Sequence, residues 1–206
     1  MIVDLHPQNR KISYIKRKLF FSIAFLGFIN ATTVDKKTAI SYKVDTSKSF
    51  TYNIPYLERD FVGFKEALGF KESQGRYTAV NTLGYLGKYQ FGKTTLLRFK
   101  IYNTKAFLND PELQEKAFKA LCKVNKWILR KDIQRSVGKT INGITITTSG
   151  ILAAAHLSGA GNVKKFLRSN GTLNFSDAYG SSIESYLRKF GGYDVSDIKP
   201  DRNAKV

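Results

Sequence analysis

The tripeptide Asp110-Pro111-Glu112 marks where the longest regular element of this 206-residue chain begins. Asp can offer a side-chain oxygen to the unpaired N–H groups of a first helical turn. Pro fits the first helical position, where no N–H is needed, and Glu complements the positive end of the helix dipole. Leu113, Ala117, Ala120, Leu121, Val124 and Ile128 then recur at helical spacing, and the pattern runs through Trp127 towards Ser136 until Gly138 stops it. Such a helix is as long as a small domain is wide. It commits the chain to a mainly helical architecture.

The remaining patterns agree. Phe61, Phe64 and Leu68 share one face of a helix that opens the domain. Residues 77–90, rich in Tyr, Val, Thr and Gly, read as short strands and turns. Residues 94–107 read as one helix with Leu96, Leu97, Ile101 and Phe107 inward. Ile141, Ile144 and Ile146 around Asn142-Gly143 predict a small hairpin. Ser149 is placed to cap a helix over 150–157. Its Ile-Leu-Ala-Ala-Ala face, small and apolar, belongs in the middle of a core, and Gly159-Ala160-Gly161 ends it. A short basic helix over 163–168, a turn at Asn170-Gly171 and a last helix over 176–190, closed by Gly191-Gly192, complete the domain. The expected fold class is mainly α with a small β-element (α+β).

An apolar fraction of 42% is enough to build a core. The charge is unusual: 34 Lys and Arg oppose 16 Asp and Glu, for a net +18. Such a field favours polyanions, whether nucleic acid, anionic membrane or bacterial wall polymer, and charge alone does not choose. No nucleic-acid-binding motif is recognisable, so no specific nucleic acid is expected. Cys122, the one cysteine, sits in an apolar helical pattern and reads as a core residue. No Cys/His cluster has metal-ligand spacing, so neither metal nor other cofactor is expected.

Arg10, Lys11, Lys16, Arg17 and Lys18 precede an apolar run over 19–29, and Asn30-Ala31-Thr32 follows. Positive, apolar, then small is the order of a signal peptide, and the run is shorter than the roughly 20 residues that span a bilayer. Residues 1–31 are therefore expected to be removed on export to the periplasm or beyond, leaving no transmembrane anchor. Residues 32–55 read as a polar linker or arm, 56–194 as the folded domain and 195–206 as a polar, frayed tail.

Chemistry concentrates between Phe61 and Gly92. Glu72 falls where the first helix should run out, before Gln74-Gly75. A carboxylate there faces the negative end of the helix dipole, which favours the proton-carrying form a general acid needs. Further on, Gly87-Lys88-Tyr89-Gln90-Phe91-Gly92-Lys93-Thr94 matches the phosphate-cradling pattern G-x-x-x-x-G-K-[ST]. That reading requires a buried apolar strand just before Gly87. The residues there, Asn-Thr-Leu-Gly-Tyr-Leu, are too polar and Gly-broken for one.

Glu72-Ser73 followed by Gly87-Lys88-Tyr89-Gln90-Phe91 resembles the Glu-Ser and Gly-Leu-Met-Gln-Ile pair of lytic transglycosylases, members of the lysozyme-like superfamily, and Gln90 lies eighteen positions after Glu72. Residues 152–163, Leu-Ala-Ala-Ala-His-Leu-Ser-Gly-Ala-Gly-Asn-Val, are similar to the family's Ala-Ala-Tyr-Asn-Ala-Gly-x-Gly-x-Val, with His156 on the Tyr and Leu157 on the Asn. Tyr186-Leu187-Arg188-Lys189-Phe190 resembles its final helix, though the Glu-Thr-Arg that precedes that Tyr in the family is missing.

The resemblance implies a lysozyme-like fold and cleavage of the peptidoglycan glycan strand. Glu72 would be the sole acid and then base, and Gln90 would line the sugar groove beside Ser73 and Tyr89. Tyr186 would either approach Glu72 or make an aromatic core contact. His156 would contact an acetamido group, tune Glu72, or be a satisfied core histidine. The next acid in the chain after Glu72 is Asp110, expected far from the groove, so a one-carboxylate transglycosylase site is anticipated. The alternatives are a hydrolytic muramidase of the same fold, an inactive secreted glycan-binding module and, more remotely, a nucleotide binder through residues 87–94.

Overall fold

Six helices and one short hairpin make up residues 58–206, the part of the chain that the computed structural model describes. They are α1 (Phe61–Ser73), α2 (Lys93–Arg98), α3 (Thr104–Leu108), α4 (Pro111–Ser136), β1 (Thr140–Ile141), β2 (Ile144–Thr145), α5 (Thr148–Arg168) and α6 (Ile183–Lys189). The fold is mainly helical with a small two-stranded antiparallel sheet. The signal-peptide, linker and domain-start assignments at residues 1–56 lie outside the described residues.

The long helix is α4. Asp110 accepts from the Leu113 N–H as its cap, with Pro111 in the first turn. Ala117, Ala120, Cys122, Val124 and Leu129 are buried along it, and burial pushes the Cys122 thiol up. Helix α5 packs against both α4 and α6. Its residues 151–155 are all buried, so the small apolar face does pass through the core. Close approach has a local cause: a Cβ at Gly150 would come within 2.8 Å of the Leu187 carbonyl oxygen on α6. Gly159, at φ 77° and ψ 152°, kinks α5 where Gly159-Ala160-Gly161 was expected to end a helix.

An aromatic cluster joins α1 to α4. Phe118 on α4 meets Phe61 and Phe64, and it stacks on Tyr89 with ring centroids 4.1 Å apart and planes 9° from parallel. Such pairs add about 0.5–1.5 kcal/mol each beyond the area they bury. Phe64 also meets Phe190 and Tyr193 edge-on.

Three expectations are corrected. The helix expected over 94–107 is two helices. Lys100 takes φ 59° between them, Asn103 caps α3 by accepting from the Ala106 N–H, and Leu97 faces solvent. The last helix starts at Ile183, with a capping box between Ser182 and Ser185, because residues 176–182 form a turn-back of their own. The tail is docked: Val195 and Ile198 are buried in the core, Lys126 donates to the Val195 carbonyl at 2.8 Å, and the Arg202 guanidinium lies over the Trp127 ring. Two apolar residues and a Lys partner outweigh the polarity that the sequence shows there.

Candidate active site

Helix α1 carries Glu72 in its last turn. Asp60 sets the start by accepting from the Gly63 N–H at 2.8 Å. The end is set by Gln74 in the left-handed region at φ 58°, its N–H returned to Phe70, with the Gly75 N–H on Gly69. Glu72 is therefore held on helical backbone, half-buried and lining a cleft. From α6, 114 residues away in sequence, the Tyr186 hydroxyl donates to Glu72 Oε1 at 2.6 Å. Tyr186 is buried against Phe190 and does not face the cleft; its contact is with the carboxylate.

The cleft beside Glu72 has a volume of about 280 Å³. It adjoins a wider groove of about 740 Å³, with Tyr85, Gln90, His156, Leu157 and Phe175 lining both. Gln90 reaches this position because residues 79–91 fold into a tight turn-back. Leu86 pairs with Phe91 and Val80, and the Gly87 N–H donates to the Ala79 carbonyl at 2.7 Å. Gln90 itself sits at φ 49°, its side chain donating to the Gly87 carbonyl at 2.9 Å. His156 comes from α5 one turn before the Gly159 kink. Its Nε2–H donates to the Tyr89 carbonyl at 2.7 Å, which leaves Nδ1 buried without a partner beside the Phe91 and Phe118 rings. The chain thus brings Glu72, Gln90, His156 and Tyr186 together.

Ser73 and Tyr89 are corrected. Neither lines the cleft. Ser73 is buried, and its hydroxyl donates to the Lys88 carbonyl at 2.8 Å, tying the end of α1 to the turn-back. Tyr89 is fully buried on Phe118 with its hydroxyl on Glu115, so it offers no face to a sugar. Burial, with the Glu115 carboxylate beside it, pushes its phenol up. The expectation of a lone acid is corrected as well. Asp177, in the turn-back before α6, lines the same cleft as Glu72, its Oδ1 accepting from the Tyr179 and Ser181 N–H groups at 2.9 and 2.7 Å. Reading residues 176–182 as helix hid it.

Two further residues shape the site without any sequence signal. Gln114 on α4 is wholly buried. Its Oε1 accepts from the Lys88 N–H at 2.9 Å and its Nε2 donates to the Tyr77 and Phe107 carbonyls. Gly87, at φ 77°, is required beside it, since a Cβ would collide with that amide. Glu115, one residue on, accepts from Lys65, Lys88, Tyr77 and Tyr89 at 2.6 to 2.9 Å. Burial would raise the Glu115 carboxyl, but these donors outweigh it and hold it at about 2.

The same bonds bear on the phosphate-cradle pattern. The N–H groups of Gly87, Lys88, Gln90 and Phe91 donate to Ala79, Gln114, Gly87 and Leu86, and so do not point at an anion. Among the described residues no apolar strand precedes Gly87; the two strands form the hairpin at 140–145. Comparison with protein-family models, with curated proteins and with solved structures finds no match to this chain.

Proposed function

We propose that this chain is an exported enzyme that cleaves the glycan strand of peptidoglycan on a lysozyme-like scaffold, with Glu72 as acid and then base. The observation that carries the reading is the Tyr186–Glu72 hydrogen bond of 2.6 Å at a groove also lined by Gln90 and His156. The motif order noted in the sequence supports it, because Gln90 and His156 line the cleft of Glu72 and Tyr186 bonds its carboxylate. In the transglycosylase form of the reaction, Glu72 gives its proton to the glycosidic oxygen as the bond to C1 breaks. The resulting carboxylate takes the proton of the same sugar's O6 hydroxyl, O6 attacks C1, and a 1,6-anhydro ring forms without water. Gln90 orients a sugar group in the groove.

Glu72→Gln keeps the shape of the side chain and removes the proton. General acid–base assistance is worth about 10²–10⁴-fold, and one group performing both proton steps belongs at the upper end. The folded variant should bind glycan strands and release almost no muropeptides, measured by mass spectrometry. Wild-type cleavage by folded Glu72→Gln would end the assignment. Asp177 favours one second reading, a hydrolytic muramidase in which a second carboxylate activates water. The product decides between them: anhydro-muropeptides are lighter by one water than the reducing-end products of hydrolysis.

A further inference from the structure

Two surface turns face each other across the Glu72 cleft. One bank is the turn at 81–85, where Asn81 Oδ1 accepts from the Leu83 and Tyr85 N–H groups and the Asn81 N–H donates to the Tyr85 carbonyl. The other is the turn-back at 176–182. Asp177 organises it, the Asp177 N–H donates to the Ser181 carbonyl at 2.8 Å, and the Ile183 N–H donates to the Phe175 carbonyl. Both tips are thus built from their own hydrogen bonds. They meet: the Thr82 and Tyr179 hydroxyls share a hydrogen bond of 2.7 Å between residues 97 positions apart. Asn81 and Leu83 on either side of Thr82 line the cleft, as do Asp177 and Tyr179 opposite.

The two parts of the groove are unequal. Glu72 lines the small part, about 280 Å³, at the low end of ligand-sized cavities. The wide part, about 740 Å³, shares Gln90 and His156 with the small part and does not include Glu72. A polymer has more room in the wide part than in the part where Glu72 lies, which the two joined banks line.

We propose that the Thr82–Tyr179 contact closes the groove beside Glu72, so that the protein takes glycan strands by their ends and removes short units, and does not cut in mid-strand. This rests on the reading of Glu72 as a glycan-cleaving acid. The body of the strand lies in the wide groove and its terminal sugars occupy the closed chamber. One exposed hydrogen bond is weak by itself, because water competes for both hydroxyls. The closure therefore depends on the two preformed turns, and the hydroxyl pair holds them in register.

The test uses the purified protein on peptide-free peptidoglycan glycan strands, followed by size-exclusion chromatography at low conversion. With the wild type, short product should accumulate while the main population keeps its length. The initial rate on a fixed mass of glycan should double when the strand length is halved, because the number of ends doubles. In the double variant Thr82→Val/Tyr179→Ala the mean strand length should fall early, as internal bonds become accessible. Both side chains are exposed, and Tyr179→Phe, which removes only the hydroxyl, provides a milder opening. A wild type that shortens the main population at once, at a rate independent of the number of ends, overturns the closure and leaves the Glu72 assignment standing. A folded wild type that releases no product, like Glu72→Gln, overturns both.

Discussion

Tyr186 is kept a proton donor by its surroundings. Burial raises its phenol, and the Glu72 carboxylate beside it raises it further. The hydroxyl therefore stays protonated through the neutral range and points at Glu72 Oε1. Tyr186→Phe keeps the ring against Phe190, 5.2 Å between centroids, and removes only the donor. Hydrogen bonds to charged groups are worth about 1.5–3 kcal/mol. We expect kcat to fall by about 10–100-fold with KM little changed, since the residue positions Glu72 and does not touch the groove, and the melting temperature to drop by the few degrees that one lost hydrogen bond costs. An equal loss of stability and activity would make it a packing residue instead. That Glu72 and Gln90 lie at one cleft was legible from their spacing, while their roles there belong to the proposal. Ser73 and Tyr89 were misread because adjacency in sequence does not say which way a side chain points: Gln90 lines the groove, while Tyr89 turns onto Phe118. Asp177 was illegible because a turn that caps itself through an Asp resembles, in sequence, the first turn of a helix.

Glu115 is where α1, the turn at 77–91 and α4 are joined. Lys88, 3% exposed, bridges Glu66 on α1 at 2.7 Å and Glu115 on α4 at 2.8 Å, and Lys65 reaches Glu115 from α1 at 2.6 Å. Because the folded carboxyl lies at about 2 against an ordinary 4.5, its contribution is complete above about pH 4.5 and is lost as the pH falls towards 2. Stability by chemical denaturation should therefore decline across that window, and Glu115→Gln should remove this share of the decline. The variant should also lose stability at neutral pH, by less than the roughly 3–5 kcal/mol of a fully buried pair, because Glu115 is half-buried and Glu66 still holds Lys88. A variant as stable as the wild type at pH 7 would show the network to be dispensable. Elements with local signals were legible: the α4 cap, the hairpin at Asn142-Gly143 with both residues at positive φ, and the break at Gly159. Elements decided by distant partners were not. Nothing in the helical period of α4 announces that Gln114 and Glu115 serve a turn twenty-odd residues earlier, and nothing in the tail announces that α4 will receive Val195 and Ile198.

At the scale of the whole molecule, the groove is assembled from α1, the 79–91 turn-back, α2, α4, α5 and the segment before α6, so no single stretch of sequence could show its shape. Charge is different, being a property of the sum. Among the described residues, ion pairs engage Lys65, Lys88, Lys116, Arg135 and Arg168, and their acidic partners are few against the basic excess of the chain. On Trp127 the guanidinium groups of Arg130 and Arg202 lie 4.2 and 5.1 Å from the ring centroid, which gathers positive charge at one place on α4. Such a field acts over distances that salt controls, about 8 Å at physiological ionic strength. If it holds the protein on anionic wall polymer, pelleting with whole walls should fall steadily as salt is raised. It should be weaker at every salt concentration on walls stripped of anionic polymer. Glu72→Gln, which does not disturb the basic surface, should pellet like the wild type. Binding that ignores salt would instead place the affinity in the groove, where close hydrogen bonds and sugar contacts are little screened, and the net charge, 18 − 5 + 1 = +14 once residues 1–31 are removed, would then have no part in holding the protein on its substrate.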